Sequence, residues 1–457
     1  MVEQIIRPAN IAIKLLGQQS YKENVKYRPI KFYFSTEIDS GLLLINFMTS
    51  EMLFLDNYEK NIFMEQINHS LTIELVKKWF LVPENTDDNS LYNEFEKTRN
   101  LIAKNFLNNE YKNCIDTYTI LTTTDCNARC FYCFELGRKR TFMTEKVALD
   151  VSNYIIKKCG GKLVKLRWFG GEPLYNDKVI DIICDNLKKN KINFASSMVS
   201  NGYLFSKDKI IKAKKCWNLV RVQITLDGTE KVYNNCKAFV YKNTNAFQVV
   251  TNNIESLLQE NITVNIRLNM DLHNEKDLYS LVDYLSERYG KYKNFTVYAH
   301  LLYGSADKKK SETMEKKREL FEKFIALEEY IFDKKIFKYT LIDNKIRIGG
   351  CMASKDNTTV VLTDGRLGKC EYYSDNETWG SIYDDSIDYD MINKFKFHRS
   401  FFKKCNDCAY RPYCIQNDAC PHAVKECDEL DQMLTFQNFK IYMINTYLNF
   451  RNQTRNE

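Results

Sequence analysis

Polar and apolar positions change their period along this chain, and the changes mark out three segments. Between 117 and 335, short apolar runs alternate with stretches of helical spacing, the pattern of strand–helix units around a parallel sheet. Strands are expected over 117–123, 164–169, 194–200, 220–226, 263–268 and 295–302. Helices are expected over 145–157, 178–188, 250–258 and 276–287, and a long charged helix over 312–332 closes the segment. Upstream, 29–35 and 41–47 read as two strands joined by a polar turn at 37–40. Helical patterns near 58–66 and 72–79, an apolar strand at 80–82 and a helix over 92–106 follow. Past 343 the periodicity fades until 430–450, a helix with apolar Leu434, Phe436, Phe439, Ile441, Met443 and Tyr447 that packs against the body. The expected domains are therefore 1–105, 112–340 and 341–457, with no internal repeat or low-complexity run.

At 457 residues, 44% hydrophobic and 13% aromatic, the chain has ample material for packed cores, which excludes wholesale disorder. Its net charge of +7 is spread along the sequence and forms no basic stripe, so no nucleic-acid partner is expected. The start lacks a charged segment followed by an apolar one, and no apolar run approaches the ~18 residues of a membrane span. The 15 cysteines are thus expected in a reducing, cytoplasmic compartment, where clustered thiols bind metals rather than form disulfides. The five histidines (His69, His273, His300, His398, His422) form no spaced pair, which argues against a histidine metal site or a catalytic triad. No general acid, base or nucleophile is assigned.

Cys126, Cys130 and Cys133 stand in Thr-Asp-Cys-Asn-Ala-Arg-Cys-Phe-Tyr-Cys-Phe-Glu, directly after the first strand of the alternating segment. Three thiolates at this spacing can ligate three irons of a 4Fe–4S cluster and leave the fourth open for chemistry. A structural zinc site would need four closed ligands, and no fourth Cys or His lies nearby. The motif, with Tyr132 before its last cysteine, resembles the signature of radical S-adenosylmethionine (SAM) enzymes. That resemblance implies that the open iron chelates SAM and that one electron cleaves it to a 5′-deoxyadenosyl radical. It also implies an α/β fold built on a partial, laterally open (β/α)6 barrel.

Other strand ends fit the same resemblance, because ligands in parallel α/β folds sit at the carboxyl ends of strands. The second strand runs into Gly170-Gly171-Glu172, similar to the family's motif for the SAM amino group; paired glycines let a ligand approach and a carboxylate accepts from an ammonium. Ser200 and Asn201 match a position that contacts the ribose and carboxylate. Gln223 to Asp227 resembles the ribose-side segment, and Arg267, with Asn269, is expected at the carboxylate.

Seven further cysteines crowd into 351–427. Cys351 is followed by thirteen residues, Gly365, four more and Cys370; then come Cys405, Cys408, Cys414, Cys420 and Cys427. This resembles the SPASM extension of radical SAM peptide-modifying enzymes, which carries two auxiliary 4Fe–4S clusters. Five residues separate Cys414 from Cys420, a longer gap than the family usually shows. Carried over, Cys405, Cys408, Cys414 and Cys427 close an outer cluster, while Cys351, Cys370 and Cys420 hold an inner one that lacks a fourth thiolate. Cys114, Cys159, Cys184, Cys216 and Cys236 are expected as small buried hydrophobes.

The first 105 residues resemble a winged-helix peptide-recognition module, which would hold an extended leader peptide by strand addition. The whole is thus similar to maturases of the sactipeptide and ranthipeptide type. The resemblance implies hydrogen abstraction from a ribosomal precursor peptide, a cysteine thioether crosslink, and a reductant such as flavodoxin or ferredoxin. Carbon–carbon or carbon–oxygen crosslinking, sulfatase-type oxidation, and a non-catalytic metal-cluster scaffold that binds a peptide stand as alternatives.

Overall fold

The computed structural model describes residues 2–65, 70–110, 114–241, 244–302, 313–337, 341–345, 351–372, 376–395, 402–414 and 426–454. The chain forms two compact units. One comprises Met1–Glu110, Tyr339–Cys351 and Phe397–Glu457, the other Tyr111–Lys338 and Met352–Lys396. The expected segment 341–457 falls partly in each unit.

In the first unit, β1 (Glu3–Ile6), β3 (Tyr33–Ile38), β4 (Gly41–Asn46) and β5 (Met52–Asp56) form an antiparallel sheet in the order β1-β5-β4-β3, and β2 (Tyr27–Pro29) pairs separately with β6 (Leu81–Pro83). The expected strand 29–35 is thus two strands, interrupted after Pro29. All of β4 is buried because both faces are covered. On one face Leu42, Leu44, Leu53 and Leu55 pack with Ile62, Phe63, Leu71 and Leu75 of the helices Asn57–Glu65 and Ser70–Lys77. On the other, Leu43, Ile45, Phe47 and Phe54 meet Phe439, Met443 and Tyr447 of the helix Glu429–Thr454. The expected terminal helix is therefore present, four residues longer at its end, and its apolar positions complete this core.

The second unit carries the parallel sheet. β7 (Thr117–Thr123), β8 (Val164–Gly170), β9 (Phe194–Ser200), β10 (Leu219–Leu226), β11 (Thr263–Met270) and β12 (Phe295–Leu301) lie side by side in sequence order, every neighbouring pair parallel. Their bounds fall within two residues of those expected. The sheet then continues past β7 through β13 (Thr358–Val361), β14 (Arg366–Gly368) and β15 (Thr378–Ser381). The residues after 351 thereby extend this sheet, which the fading periodicity did not announce. Side-chain caps start the connecting helices: Thr144 accepts from the Val147 N–H, Ser206 from Lys209 and Asn245 from Gln248. Cys159 and Cys184 are buried as expected, whereas Cys114, Cys216 and Cys236 are half-buried. Among the described residues, no helix is long and apolar enough to cross a membrane.

Candidate functional site

β7 ends at Thr123, and its backbone turns directly into the loop of Cys126, Cys130 and Cys133, all three half-buried. The loop is tied at each end. Asp125 accepts from the Cys126 N–H at 2.8 Å, and the Cys133 N–H donates to the Cys130 carbonyl at 3.2 Å, turning the chain between the last two thiols. Two donors address the first sulfur: the Ala128 N–H lies 3.4 Å and Asn201 Nδ2 3.7 Å from Cys126 Sγ. Burial, with the Glu172 carboxylate adding to it, pushes the Cys126 thiol up to about 12. A bare thiol here stays protonated, and a metal is what ionises it.

The glycine pair at the end of β8 has a local cause. A Cβ on Gly170 (φ +125°) would stand 2.0 Å from the Thr123 carbonyl oxygen, and one on Gly171 2.2 Å from that of Asp125. Any side chain would push the cysteine loop off the β8 end. The Gly171 and Glu172 N–H groups donate to the same two carbonyls at 3.0 and 2.9 Å.

Glu172 is enclosed by protein donors. Its carboxylate has no exposed surface. It accepts from Ser200 Oγ (2.9 Å), the Leu174 N–H (3.1 Å) and the Asn201 N–H (2.8 Å). Burial raises its pKa to about 7 against those three bonds. Its oxygens bind the ends of β8 and β9 together. Asn201 reaches the cysteine loop, where its Nδ2 also donates to Asn127 Oδ1 at 2.7 Å, while Ser200 bonds to Glu172.

Gln223, Arg267 and Tyr298 sit on one half-buried polar face of the sheet. Tyr298 donates to Gln223 Oε1 across β11 (2.8 Å), and Arg267 donates to Asn269 Oδ1 (3.0 Å). Gln223 and Arg267 are thus held by protein partners.

Sequence reasoning named Tyr132 and the segment ending at Asp227 but missed Lys237 and the partners of the segment after Cys370. Tyr132 donates to Asp227 Oδ2 at 2.6 Å, and Lys237 Nζ donates to the Tyr132 hydroxyl at 2.6 Å while lying 3.0 Å from Asp227 Oδ2. Asp227 and Lys237 are 1% and 3% exposed. The other group is the segment after Cys370. Arg138 reaches the carbonyls of Glu371 and Tyr372, Arg167 pairs with Glu371 at 3.4 Å, and Tyr372 stacks on Phe134 with ring centroids 4.2 Å apart. Cys370 is therefore held beside the loop of Cys133. An isolated Arg or a Lys at a helix end carries no sequence signal for such a role.

Of the remaining cysteines, Cys405, Cys408, Cys414 and Cys427 lie in the first unit, half-buried. Consecutive turns carry the first three, and Lys404 Nζ donates to the Cys427 carbonyl at 3.3 Å. Cys351 is exposed in the first unit, Cys370 half-buried in the second, and Cys420 falls outside the described residues. Among the described residues, no three His, Cys, Asp or Glu side chains converge on a single ion. Ligands of separate cluster corners stand farther apart than ligands of one ion, and the thiol-only donor set at 126–133 fits an iron–sulfur cluster. Asp227 Oδ1 is buried with no protein partner, an acceptor left over in this site.

Residues 120–285 match the model of the Radical SAM superfamily. The radical SAM cyclopropyl synthase TigE of Paramaledivibacter caminithermalis is 24% identical over 251 residues, which cover 48% of this chain and 51% of that protein. The chain spans about half the length of the relatives it matches in sequence. In fold it is similar to anSMEcpe with bound AdoMet and Cp18Cys peptide, at TM-score 0.54 and 17% identity over 74% of this chain and 99% of that one. It is also similar to Streptococcus suis SuiB bound to precursor peptide SuiA, at TM-score 0.50 and 15% identity over 86% and 95%.

Proposed function

We propose, from the premise that residues 120–285 are a radical SAM domain, that this chain is a radical SAM enzyme that modifies a peptide. The observation that carries the reading is the joint between the cysteine loop and the Gly170–Gly171 turn, where two strand ends meet at backbone contact. A cluster held by Cys126, Cys130 and Cys133, with SAM on its open iron, supplies one-electron cleavage of SAM and a radical able to take hydrogen from carbon. The chain's own residues position and seal. The Gly170–Gly171 backbone would meet the SAM amino group, while Glu172 braces that turn. Ser200, Asn201, Gln223, Arg267 and Tyr132 would hold the SAM ribose and carboxylate. Phe134 lies between Phe169 and Tyr372, an aromatic group on the cysteine loop that would border the radical's surroundings.

Two fold relatives were solved with peptides, and this supports a peptide substrate. The first unit supports the same reading, because β3 is an edge strand paired only with β4 among the described residues, a place where an extended leader can add. The seven C-terminal cysteines would hold auxiliary clusters able to exchange electrons, and a flavodoxin or ferredoxin would supply the reductant in the cytoplasm. The product is a cysteine thioether, formed with the loss of two hydrogens from the precursor. The name of the relative TigE favours carbon–carbon bond formation as the second reading.

Co-expression with the short reading frames beside the gene decides between them. The thioether reading expects a product two hydrogens lighter whose cysteine resists alkylation. A lighter product with a fully alkylated cysteine selects the carbon–carbon reading, and an unchanged mass for every neighbouring peptide contradicts both.

A further inference from the structure

The Tyr132–Asp227–Lys237 group is an ion pair with almost no solvent access, placed on the aromatic residue between two cluster cysteines. Burying two charges is costly unless each finds close partners. Here the short contacts converge on one carboxylate oxygen, Asp227 Oδ2: 2.6 Å from phenol to carboxylate, 2.6 Å from ammonium to phenol, and 3.0 Å from ammonium to carboxylate, while Oδ1 has no protein partner. The ammonium also lies over the Tyr132 and Tyr233 rings, 5.3 and 5.9 Å from their centroids.

The same segment grips the loop through its backbone. The Lys237 carbonyl accepts from the Arg129 N–H at 2.9 Å, and the Val240 N–H donates to the Asn127 carbonyl at 2.9 Å. Ala238 between them takes a left-handed conformation, φ +43°, which turns the chain so that both bonds form. Residues 237–240 thus lie along 127–129 while the side chain of Lys237 reaches 132. A surface lysine needs none of this.

We propose that Asp227 and Lys237 are positioning residues that form a charge-neutral clamp on Tyr132, fixing the Cys130–Cys133 turn and setting the reduction potential of the cluster those cysteines hold. This rests on the cluster assignment of the previous section. The physical cause is local charge in a dry site. Lys237 acts on Cys130 and Cys133 as a nearby positive charge, Asp227 cancels it, and neither is screened by water. Removing one partner leaves the other uncompensated. An uncompensated carboxylate disfavours the added electron, and an uncompensated ammonium favours it.

The test is potentiometry, followed by electron paramagnetic resonance, on reconstituted full-length protein with the C-terminal cysteines replaced by serine so that one cluster reports. Lys237→Met should lower the midpoint potential, Asp227→Asn should raise it, and the double variant should return toward wild type. Tyr132→Phe, which keeps both charges, should broaden the reduced signal while leaving the midpoint nearest to wild type. Equal potentials in all variants would overturn the proposal, and so would shifts of one sign in both single variants. If either single variant fails to load iron, the neutral double variant decides: recovery of four irons supports the clamp, and failure contradicts it. A parent protein that never gains the iron–sulfur absorbance refutes instead the cluster assignment beneath the proposal.

Discussion

At the scale of single residues, the site depends on atoms that must be absent as much as on ligands. Gly171 lies outside the left-handed region, so its requirement is steric: a Cβ would meet the Asp125 carbonyl oxygen at 2.2 Å and its carbon at 2.6 Å. Gly171→Ala should therefore cost roughly 1–3 kcal/mol of stability, the range for overpacking. It should also displace the cysteine loop. Thermal unfolding and iron content measure the two effects, and an alanine variant with wild-type iron and melting temperature would refute the account of this joint. Much of the site was legible from sequence because thiol spacing and paired glycines are local. Lys237 was not, since nothing in the sequence around it distinguishes a buried lysine from a solvated one. Glu172 shows the limit of a motif, which located the carboxylate but not the three protein donors that enclose it.

Elements differ in how they announce themselves. The six parallel strands read clearly because each is an apolar run bounded by polar helices. By contrast, β5 was missed. It follows β4 in one nearly continuous apolar stretch, and no Gly or Pro marks the turn; Ser50 takes φ +59°, and Asn46 Oδ1 accepts from the Met48 and Thr49 N–H groups. The helix Met314–Asp333 shows how an element is fastened to the sheet. Glu328, 6% exposed, accepts from the Ala299 N–H of β12 at 2.5 Å, and burial raises its pKa to about 7. A carboxyl raised on folding lends stability that is full below its ordinary range and is lost as pH rises through 7. Wild type should lose roughly 3 kcal/mol from this group between about pH 5 and 8, each pKa unit being worth about 1.4 kcal/mol. Glu328→Gln should remove that part of the fall, leaving the part due to Glu172. Chemical denaturation across this range checks it, and parallel curves for the two proteins would contradict the assignment.

On the scale of the whole molecule, the sequence suggested three consecutive domains where the chain forms two interleaved units. The reason is physical: β4 is apolar on both faces, and one face is completed by residues 439–447, far away in sequence. Phe439, 2% exposed, stacks near Phe47, Tyr410 and Tyr413. Phe439→Ala should cost about 3–5 kcal/mol, as for other buried aromatics. Truncation of the first 105 residues should leave the terminal helix unable to fold onto its core, seen as loss of its helical circular dichroism. A truncated protein with an unchanged C-terminal helix would contradict the shared core. Iron counting tests the C-terminal cysteines at the same scale, with about 12 irons expected for three four-iron clusters. A count that stays near four, or zinc in place of iron, would refute the auxiliary clusters. The central claim is SAM cleavage at the loop of Cys126, Cys130 and Cys133, and the most direct measurement is 5′-deoxyadenosine formed from SAM and a strong reductant under anaerobic conditions. The account predicts steady formation by the reconstituted wild type and none by the variant with all three cysteines changed to alanine. Equal yields from both proteins, or no product from wild type carrying its iron, would contradict it.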